Sequence, residues 1–578
     1  MNGATHSISP GAALVRIFYW IALLYLLGFI FVTLDVFYNT GVLPIPFFRD
    51  VHNTFMDFFH VNWWAHHEGF YSEFRSIYSP VNIVIGKILS DVQLSNGAFE
   101  LRHDEFRTLL LFQAVVWGLS CYYTYRLLAG TRDRVVWTAL LNLSFPMLFA
   151  IERGNYIILT LLLFLVYMHK YSNGSRISLL SPLFALVVMS KLHAGIFLVS
   201  DFIKKRWSYI ATFFFWLLFF FITSGFIAGV NDWYRLPINI LGFLSGGGNQ
   251  DIFQLFAPTA SISGLADRLG LAYSLSESGL FFIKFIEICL YVSVFGIYYA
   301  LVIRFQKEGV NEWVFKLATF LVATLLVPSL GYYAIIMAYP IILYLLKNNL
   351  LSSYQRILCI LIVLPYPILI SGPLATLNLE PAFRSSGAVS VDIGLTLNSL
   401  APTFFCLLFV LSVSIRALQL DKPIDFILRD FFHNGVLYMS DNRNSWARSP
   451  VVWIVVGFIS ISLILYQIRY GLREFSAGFN SRQDVLETRI YLKGLIHNPE
   501  VFYQSSLVKE RNGDYAGAIL DMRFAIGLLV GNDCNSKFID RYEARLKSLI
   551  NTCSNHEKPC QGVIPGMREN PGNPTKVY

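Results

Sequence analysis

The residues richest in chemistry lie in one stretch: Phe55-Met56-Asp57-Phe58-Phe59-His60, then Trp63-Trp64, Gly69-Phe70-Tyr71 and Ile77-Tyr78-Ser79-Pro80. An aspartate set among aromatic rings is expected to hold its proton more tightly than a free one, because apolar surroundings disfavour its charge. That moves Asp57 toward general-base duty at neutral pH; the plainer reading is an interfacial aromatic belt with Asp57 as a helix cap. A second cluster is Glu152-Arg153-Gly154-Asn155, where the planar donor fork of Arg153 suits phosphate or carboxylate oxygens, although a solvated turn would carry the same residues. The third is Lys191 with His193, ionisable groups inside an apolar stretch and so functional candidates, with snorkelling of the lysine as the alternative. The fourth is Tyr332-Tyr333 after Pro328, whose hydroxyls suit a sugar or a membrane-surface belt. Asp50, Glu68, Glu73 and Arg75 complete the set.

No cofactor is expected beyond the substrates, and the sequence does not give a metal requirement: outer carboxylates are where a metal ion would sit. Asp57 and Asp50 lack partners at ligand spacing, and neither a CxxC pair, an HExxH nor a P-loop is present. Gly246-Gly247-Gly248-Asn249 has no following GK[ST] and reads as a flexible outer loop rather than a nucleotide cradle.

The elements that must position these residues are set by composition. Of 578 residues 55% are hydrophobic, 16% aromatic and only 14% charged, against about 25% charged in soluble domains. With a mean hydropathy of +0.53, lipid must be the solvent for much of the chain. A soluble globule, a disordered chain, collagen and a disulfide-framed secreted module are excluded. The net charge of +8 points to cytoplasmic loops, not to a nucleic-acid partner.

Apolar runs at Ile17–Leu34, Thr108–Tyr125, Val135–Ile151, Tyr156–Met168, Trp207–Val230, Ile288–Ile303, Val314–Val327, Tyr333–Leu346, Ile357–Ile370, Ile393–Ile415 and Val451–Ile468 read as spans. Several are short of the roughly 20 residues that cross hydrocarbon, which suggests buried, broken pieces. Basic clusters at Arg126–Arg134, Lys170–Arg176, Lys204–Arg206, Arg304–Lys307 and Lys347–Arg356 mark alternate loops as cytoplasmic. The stretch 177–203 carries a basic flank at both ends, so it should enter and return, breaking near Ser190-Lys191-Leu192-His193. The expected class is all-α: a polytopic transmembrane helix bundle of about 12–13 crossings with one re-entrant pair, N-terminus cytoplasmic and C-terminal tail extracytoplasmic. Ile424–Leu437 reads as an interfacial helix.

The expected domains are a transmembrane domain at 1–468 with outer loops 35–107 and 231–279, a helical tail at 469–556 and a disordered C-terminus at 557–578. In the tail, Gly513, Tyr515, Ala518 and Ala525 resemble one tetratricopeptide-type helix pair. One such unit cannot bury its own face, so the tail leans on the membrane domain or on a protein partner. Cys121, Cys289, Cys359 and Cys406 lie in apolar runs as small hydrophobes. Cys534, Cys553 and Cys560 lie in the tail, where an oxidising compartment allows one disulfide of unassigned pairing.

The arrangement resembles the GT-C glycosyltransferases, and within them the family 87 mannosyl- and arabinosyltransferase-like proteins that use polyprenyl-phosphate sugars. The resemblance runs from about Ile17 to Leu346. It is carried by Met56-Asp57-Phe58 leading to Tyr78-Ser79-Pro80, by Arg153-Gly154-Asn155, by Ser190-Lys191-Leu192-His193 with Lys204-Lys205-Arg206-Trp207, and by Pro328-Ser329-Leu330-Gly331-Tyr332-Tyr333. It implies an inverting transfer on the extracytoplasmic side of a bacterial inner membrane, from a polyprenyl-phosphate sugar to a glycan or glycolipid acceptor. Asp57 would be the base on the acceptor hydroxyl. Lys191 and Arg153, with His193, would hold the donor phosphate, and Tyr78, Asn155, Tyr332, Tyr333, Trp63, Trp64 and Arg75 would meet the sugar or acceptor. Two features depart from the family: tyrosines stand where a histidine is common, and the tail is extra. The alternatives are a transporter or flippase of lipid-linked saccharides, disfavoured because no repeated halves are evident, and a non-catalytic scaffold that binds through its tail.

Overall fold

The computed structural model describes residues 10–40, 55–67, 69–90, 105–229, 231–244, 260–272, 277–327, 332–367, 375–379, 389–393, 397–418, 513–531 and 536–554, with 43, 47, 503, 506, 507, 509 and 510 as single or paired positions. The helices are α1 (Pro10–Thr40), α2 (Met56–Ala65), α3 (Pro80–Leu89), α4 (Phe106–Leu127), α5 (Arg134–Asn142), α6 (Phe145–Glu152), α7 (Ile157–Ser172), α8 (Ser181–Ser190), α9 (Val199–Ile203), α10 (Trp207–Ala228), α11 (Leu236–Leu244), α12 (Ile262–Ala272), α13 (Glu277–Gln306), α14 (Glu312–Leu326), α15 (Tyr339–Lys347), α16 (Ser353–Val363), α17 (Ala401–Leu418), α18 (Tyr515–Gly531) and α19 (Ser536–Ser554). The class is all-α and membrane-type, with one small exception. The polar segment between α16 and α17 contains a two-stranded ribbon, β1 (Ala375–Leu379) with β2 (Val389–Ile393). The expected span from Ile393 therefore begins later, at α17.

By length and composition, three described helices can cross a membrane, or four if the α5–α6 pair is one broken span. The other apolar helices are half-length pieces: ten residues rise only about 15 Å of a roughly 30 Å hydrocarbon core. α10 and α13 are only 22% and 11% buried over their apolar windows. Phe281, Phe282, Phe285, Ile288, Val292 and Phe295 all lie exposed on α13, a surface that water would not tolerate and lipid would.

The run Val135–Ile151, expected as one span, is bent by 40° between α5 and α6. Pro146 is the cause, since it has no N–H to donate to the carbonyl four residues back at Asn142. The Asn142 oxygen accepts instead from Trp117 Nε1 on α4 at 3.0 Å, as an apolar environment demands. The stretch 177–203 breaks where its sequence indicates. α8 ends at Ser190, Lys191 is extended (φ −147, ψ 104), and the chain continues as a 3-10 helix, Leu192–Leu198, into α9. Most of the second half takes the tighter 3-10 coil.

The far ends of these pieces are fixed by ion pairs. Asp201 on α9, fully buried, takes Lys316 of α14 at 3.1 Å and Arg206 at 2.9 Å, while Glu312 takes Arg206 at 2.6 Å and Lys316 at 3.3 Å. Two cations and two anions cancel there, the arrangement that makes buried charge tolerable.

The chain divides into two compact units, one on residues 1–34, 43–376 and 392–472, the other on 35–42, 377–391 and 473–578. In the second, α18 packs on α19 through Ala518, Met522, Ala525, Tyr542 and Leu549. Lys509 and Asp521 form a buried ion pair at 3.0 Å, and Cys553 is disulfide-bonded. The expected boundary at 468, the helix at 424–437, the span at 451–468, the C-terminus from 557, the loop at 246–249, Cys534, Cys560, Asp50, Glu68 and the turn Pro328–Gly331 lie outside the described residues.

Candidate active site

Residues 56–89 form a short helical hairpin. α2 and α3 pack closely because Gly86 lets α3 approach Asn62 and Ala65; a Cβ there would meet them at 3.1 and 3.2 Å. Met56, Phe58, Phe59 and Val61 bury one face of α2 against Leu109 and Tyr156, with the Phe58 ring stacked on Tyr156 at 5.7 Å. This aromatic packing, and not chemistry, accounts for most of the rings that surround Asp57 in sequence.

The start of α2 is clamped to the turn after α6 by two backbone hydrogen bonds. The N–H of Phe55 donates to the Glu152 carbonyl at 2.7 Å and that of Asp57 to the Arg153 carbonyl at 3.1 Å. Phe55 takes a left-handed conformation, φ 63, a strain that such bonds must hold in place. Gly154 is obligatory here. Its φ is +66, and a Cβ would lie 2.7 Å from the Phe55 carbonyl oxygen.

With backbones fixed, the side chains meet. Arg153 Nη2 donates to Asp57 Oδ1 at 2.7 Å and Asn155 Nδ2 to Oδ2 at 2.6 Å. The carboxylate and guanidinium are 16% and 15% exposed, so both are sheltered yet still reachable. Lys191 comes from the break after α8, its Nζ 4.4 Å from the centre of the Tyr78 ring. It is placed there by Asn82 of α3, whose Nδ2 donates to the Ser190 carbonyl at 3.0 Å, occupying an oxygen that the helix end leaves unpaired. Tyr333 lies within hydrogen-bond reach of Asn155 and in the field of Asp57.

The proton affinity of Asp57 runs opposite to the sequence expectation. Burial is the largest influence and raises it, but Arg153, Asn155 and Lys191 together outweigh burial and hold the carboxyl below the usual carboxylate range. The sequence shows the aromatic surroundings but not the arginine that arrives from 96 residues away. Burial drives the Lys191 ammonium down to about 8, with Asp57 pulling back. Tyr78, pushed well up by burial and then by Asp57, stays a neutral phenol. His60 is lowered by burial against the pull of Asp57, which disfavours its charged form.

Not every expected residue joins this group. Tyr332 is fully buried and its hydroxyl donates to the Ile362 carbonyl, so that side chain is committed to the core. His193 lies two residues beyond Lys191 with Nε2 buried and without a partner. Trp63 and Trp64 stand beside the cluster in an aromatic ledge: Trp64 stacks on His60 at 5.2 Å and on Phe74 at 5.6 Å, and Trp63 lies 3.9 Å from His67. Arg75 is exposed in the loop before α3 with φ 47. Sequence reasoning did not single out His60, Asn62, Asn82 or Tyr156. Asn62 on α2 and Asn82 on α3 are both buried, and the signal available in the sequence was an asparagine inside an aromatic or apolar run. Among the described residues no group of three or more His, Cys, Asp or Glu is placed to hold a metal ion.

One carboxylate held ionised, two cations beside it and a rim of aromatic rings can accept a proton from a hydroxyl while stabilising an anionic leaving group. Residues 104–328 match the model of glycosyltransferase family 87, a segment that contains Arg153, Asn155 and Lys191 but not Asp57. No curated protein and no solved structure matches the chain.

Proposed function

We propose, for a membrane chain whose residues 104–328 match glycosyltransferase family 87, that the donor is a polyprenyl-phosphate sugar and the acceptor a glycan or glycolipid hydroxyl on the extracytoplasmic side. Asp57 takes the proton of that hydroxyl as its oxygen attacks the anomeric carbon, and the bonding pair of the departing C–O bond leaves with the lipid phosphate. One displacement inverts the anomeric configuration. A single carboxylate suffices, because a phosphate is a good leaving group and needs no acid of the kind glycosidases use. Lys191 and Arg153 meet the charge that grows on the phosphate, with His193 next to Lys191. Tyr78, Asn155 and Tyr333 face the sugar, while Trp63, Trp64 and Arg75 line the acceptor side. A GT-C arrangement, a tetratricopeptide-like tail that meets a protein partner, and a bacterial inner-membrane setting with the tail outside belong to the same reading; the disulfide at Cys553 supports an oxidising compartment.

The observation that carries the reading is the meeting of Asp57, Arg153 and Lys191 from three separate stretches. Its test is incubation of the purified protein with a panel of polyprenyl-phosphate sugars and native lipid extract, read by mass spectrometry. Asp57→Asn should cut transfer by about 10²- to 10⁴-fold, the worth of a positioned base, with donor binding retained; turnover like the wild type removes Asp57 from that role.

A further inference from the structure

The proposed reaction leaves a difficulty at Asp57. Its two oxygens are both occupied, by Arg153 and by Asn155, and an arginine-paired carboxylate is a weak base. The groups that face it are Arg153 and Asn155 from the turn after α6, Lys191 from the break after α8, His60 from its own helix, Tyr78 from the residues before α3 and Tyr333. Of these only Arg153 forms an ion pair with it. Lys191 acts through its field, from over the Tyr78 ring.

We infer that Arg153 is a transfer latch: on donor binding its guanidinium passes from Asp57 Oδ1 to the donor phosphate, so that the base is released only when the leaving group is in place. The inference rests on the transferase reading above. Backbone geometry shows which part moves. Asp57 N–H to Arg153 carbonyl and Phe55 N–H to Glu152 carbonyl hold the two segments together and Asn155 holds the carboxylate by Oδ2, which leaves the arginine side chain as the part that rotates away. A guanidinium carries five donors in a planar fork, and phosphate oxygens compete with a carboxylate for them.

Charge then moves in the productive direction. A polyprenyl-phosphate sugar is a singly charged diester, and as the anomeric C–O bond breaks its phosphate becomes a monoester with a second charge. The pull on Arg153 thus grows along the reaction. Meanwhile Asp57 Oδ1, free of its cation, accepts the acceptor hydroxyl's proton, while Asn155 keeps Oδ2 and the plane of the carboxylate in place. The sugar gains the acceptor oxygen, the lipid phosphate keeps the electron pair, and the proton resides on Asp57.

The test reads the proton on Asp57 without turnover. The full chain in detergent is treated at pH 6.5 with dicyclohexylcarbodiimide, which captures protonated carboxyls, and the Asp57 peptide is quantified by mass spectrometry with and without farnesyl phosphate. Thermal unfolding reports farnesyl phosphate binding in the same samples. Loss of one adjacent opposite charge raises an aspartate by at least about one unit, so labelling should rise about tenfold or more. Farnesol, with the chain but no phosphate, should leave labelling at its starting level, and a rise with farnesol overturns the inference. Arg153→Gln should label at the high level without ligand and respond no further, and low labelling there also overturns it. Arg153→Lys keeps a cation in place and serves if the glutamine variant does not fold. A raised unfolding midpoint with unchanged or reduced labelling overturns the latch and leaves the transferase reading standing. An unchanged midpoint at millimolar farnesyl phosphate overturns the lipid-phosphate donor itself and the latch with it.

Discussion

Gly154→Ala tests whether the clamp between α2 and the turn after α6 sets the catalytic geometry. Gly154 has φ +66, a region that costs an L residue about 1–2 kcal/mol. The new Cβ would also sit 2.7 Å from the Phe55 carbonyl oxygen and 3.0 Å from Phe58 Cβ. Both neighbours are tied down, one by a left-handed backbone and the other by its packing in the core. Relief requires the segments to part by several tenths of an ångström, which weakens the bonds from Phe55 N–H and Asp57 N–H, worth about 1 kcal/mol each. The total is about 2–4 kcal/mol of stability. Because the Asp57 carboxylate moves with its helix, turnover should fall by about 10²-fold, the usual result of a displacement approaching 1 Å. Gly130→Ala is the matched control: φ is +87 there, but nothing lies within 4 Å of the added Cβ. It should lose about 1–2 kcal/mol from backbone strain and keep its turnover. Unfolding midpoints and transfer rates of both variants, measured side by side, decide the matter. Equal midpoints and equal rates for the two would show that the close approach at Gly154 sets nothing.

Donor affinity should hold up to about pH 8 and decline above it, because burial brings Lys191 to that value and the charged ammonium is the form that binds phosphate. Lys191→Arg, which stays charged, should extend the plateau upward; a decline that remains near pH 8 in the variant assigns it to another group. Asp201→Asn removes one member of the buried four-charge set, and about 3–5 kcal/mol of stability should go with it. Adding Lys316→Met should return part of that loss, and an unchanged midpoint for Asp201→Asn alone would deny the set its structural role. For orientation, Ser72→Cys should react with an impermeant maleimide from outside and Arg132→Cys only after permeabilisation, in line with the basic clusters. The reverse pattern inverts the site's side of the membrane and ends the extracytoplasmic reading.

Composition alone determined that this chain is a helical membrane protein, since its apolar surface exceeds what one aqueous core can enclose. Local sequence also determined a helix break at Lys191, a basic residue flanked by apolar halves, whereas Val135–Ile151 reads as one span and its bend at Pro146 emerged only in the fold. The break at Lys191 is local because it depends on one charge in hydrocarbon. The ribbon of β1 and β2 was missed although its signal is local: Ala375–Leu379 and Val389–Ile393 both alternate apolar and polar residues, with Pro381 and Ser385-Ser386-Gly387 between them. The ionisation of Asp57 was not legible. Its immediate neighbours are apolar and argue for a tightly held proton, yet the arginine that decides the matter is 96 residues distant and arrives through a backbone clamp. The two tyrosines at 332 and 333 make the same point. Adjacent in sequence, they separate in the fold, one bonded into the core at Ile362 and the other turned toward Asn155. Electrostatics falls off with distance in space and not along the chain, so the identity of the charged groups was written in the sequence, while their sign-setting partners were chosen only by tertiary packing.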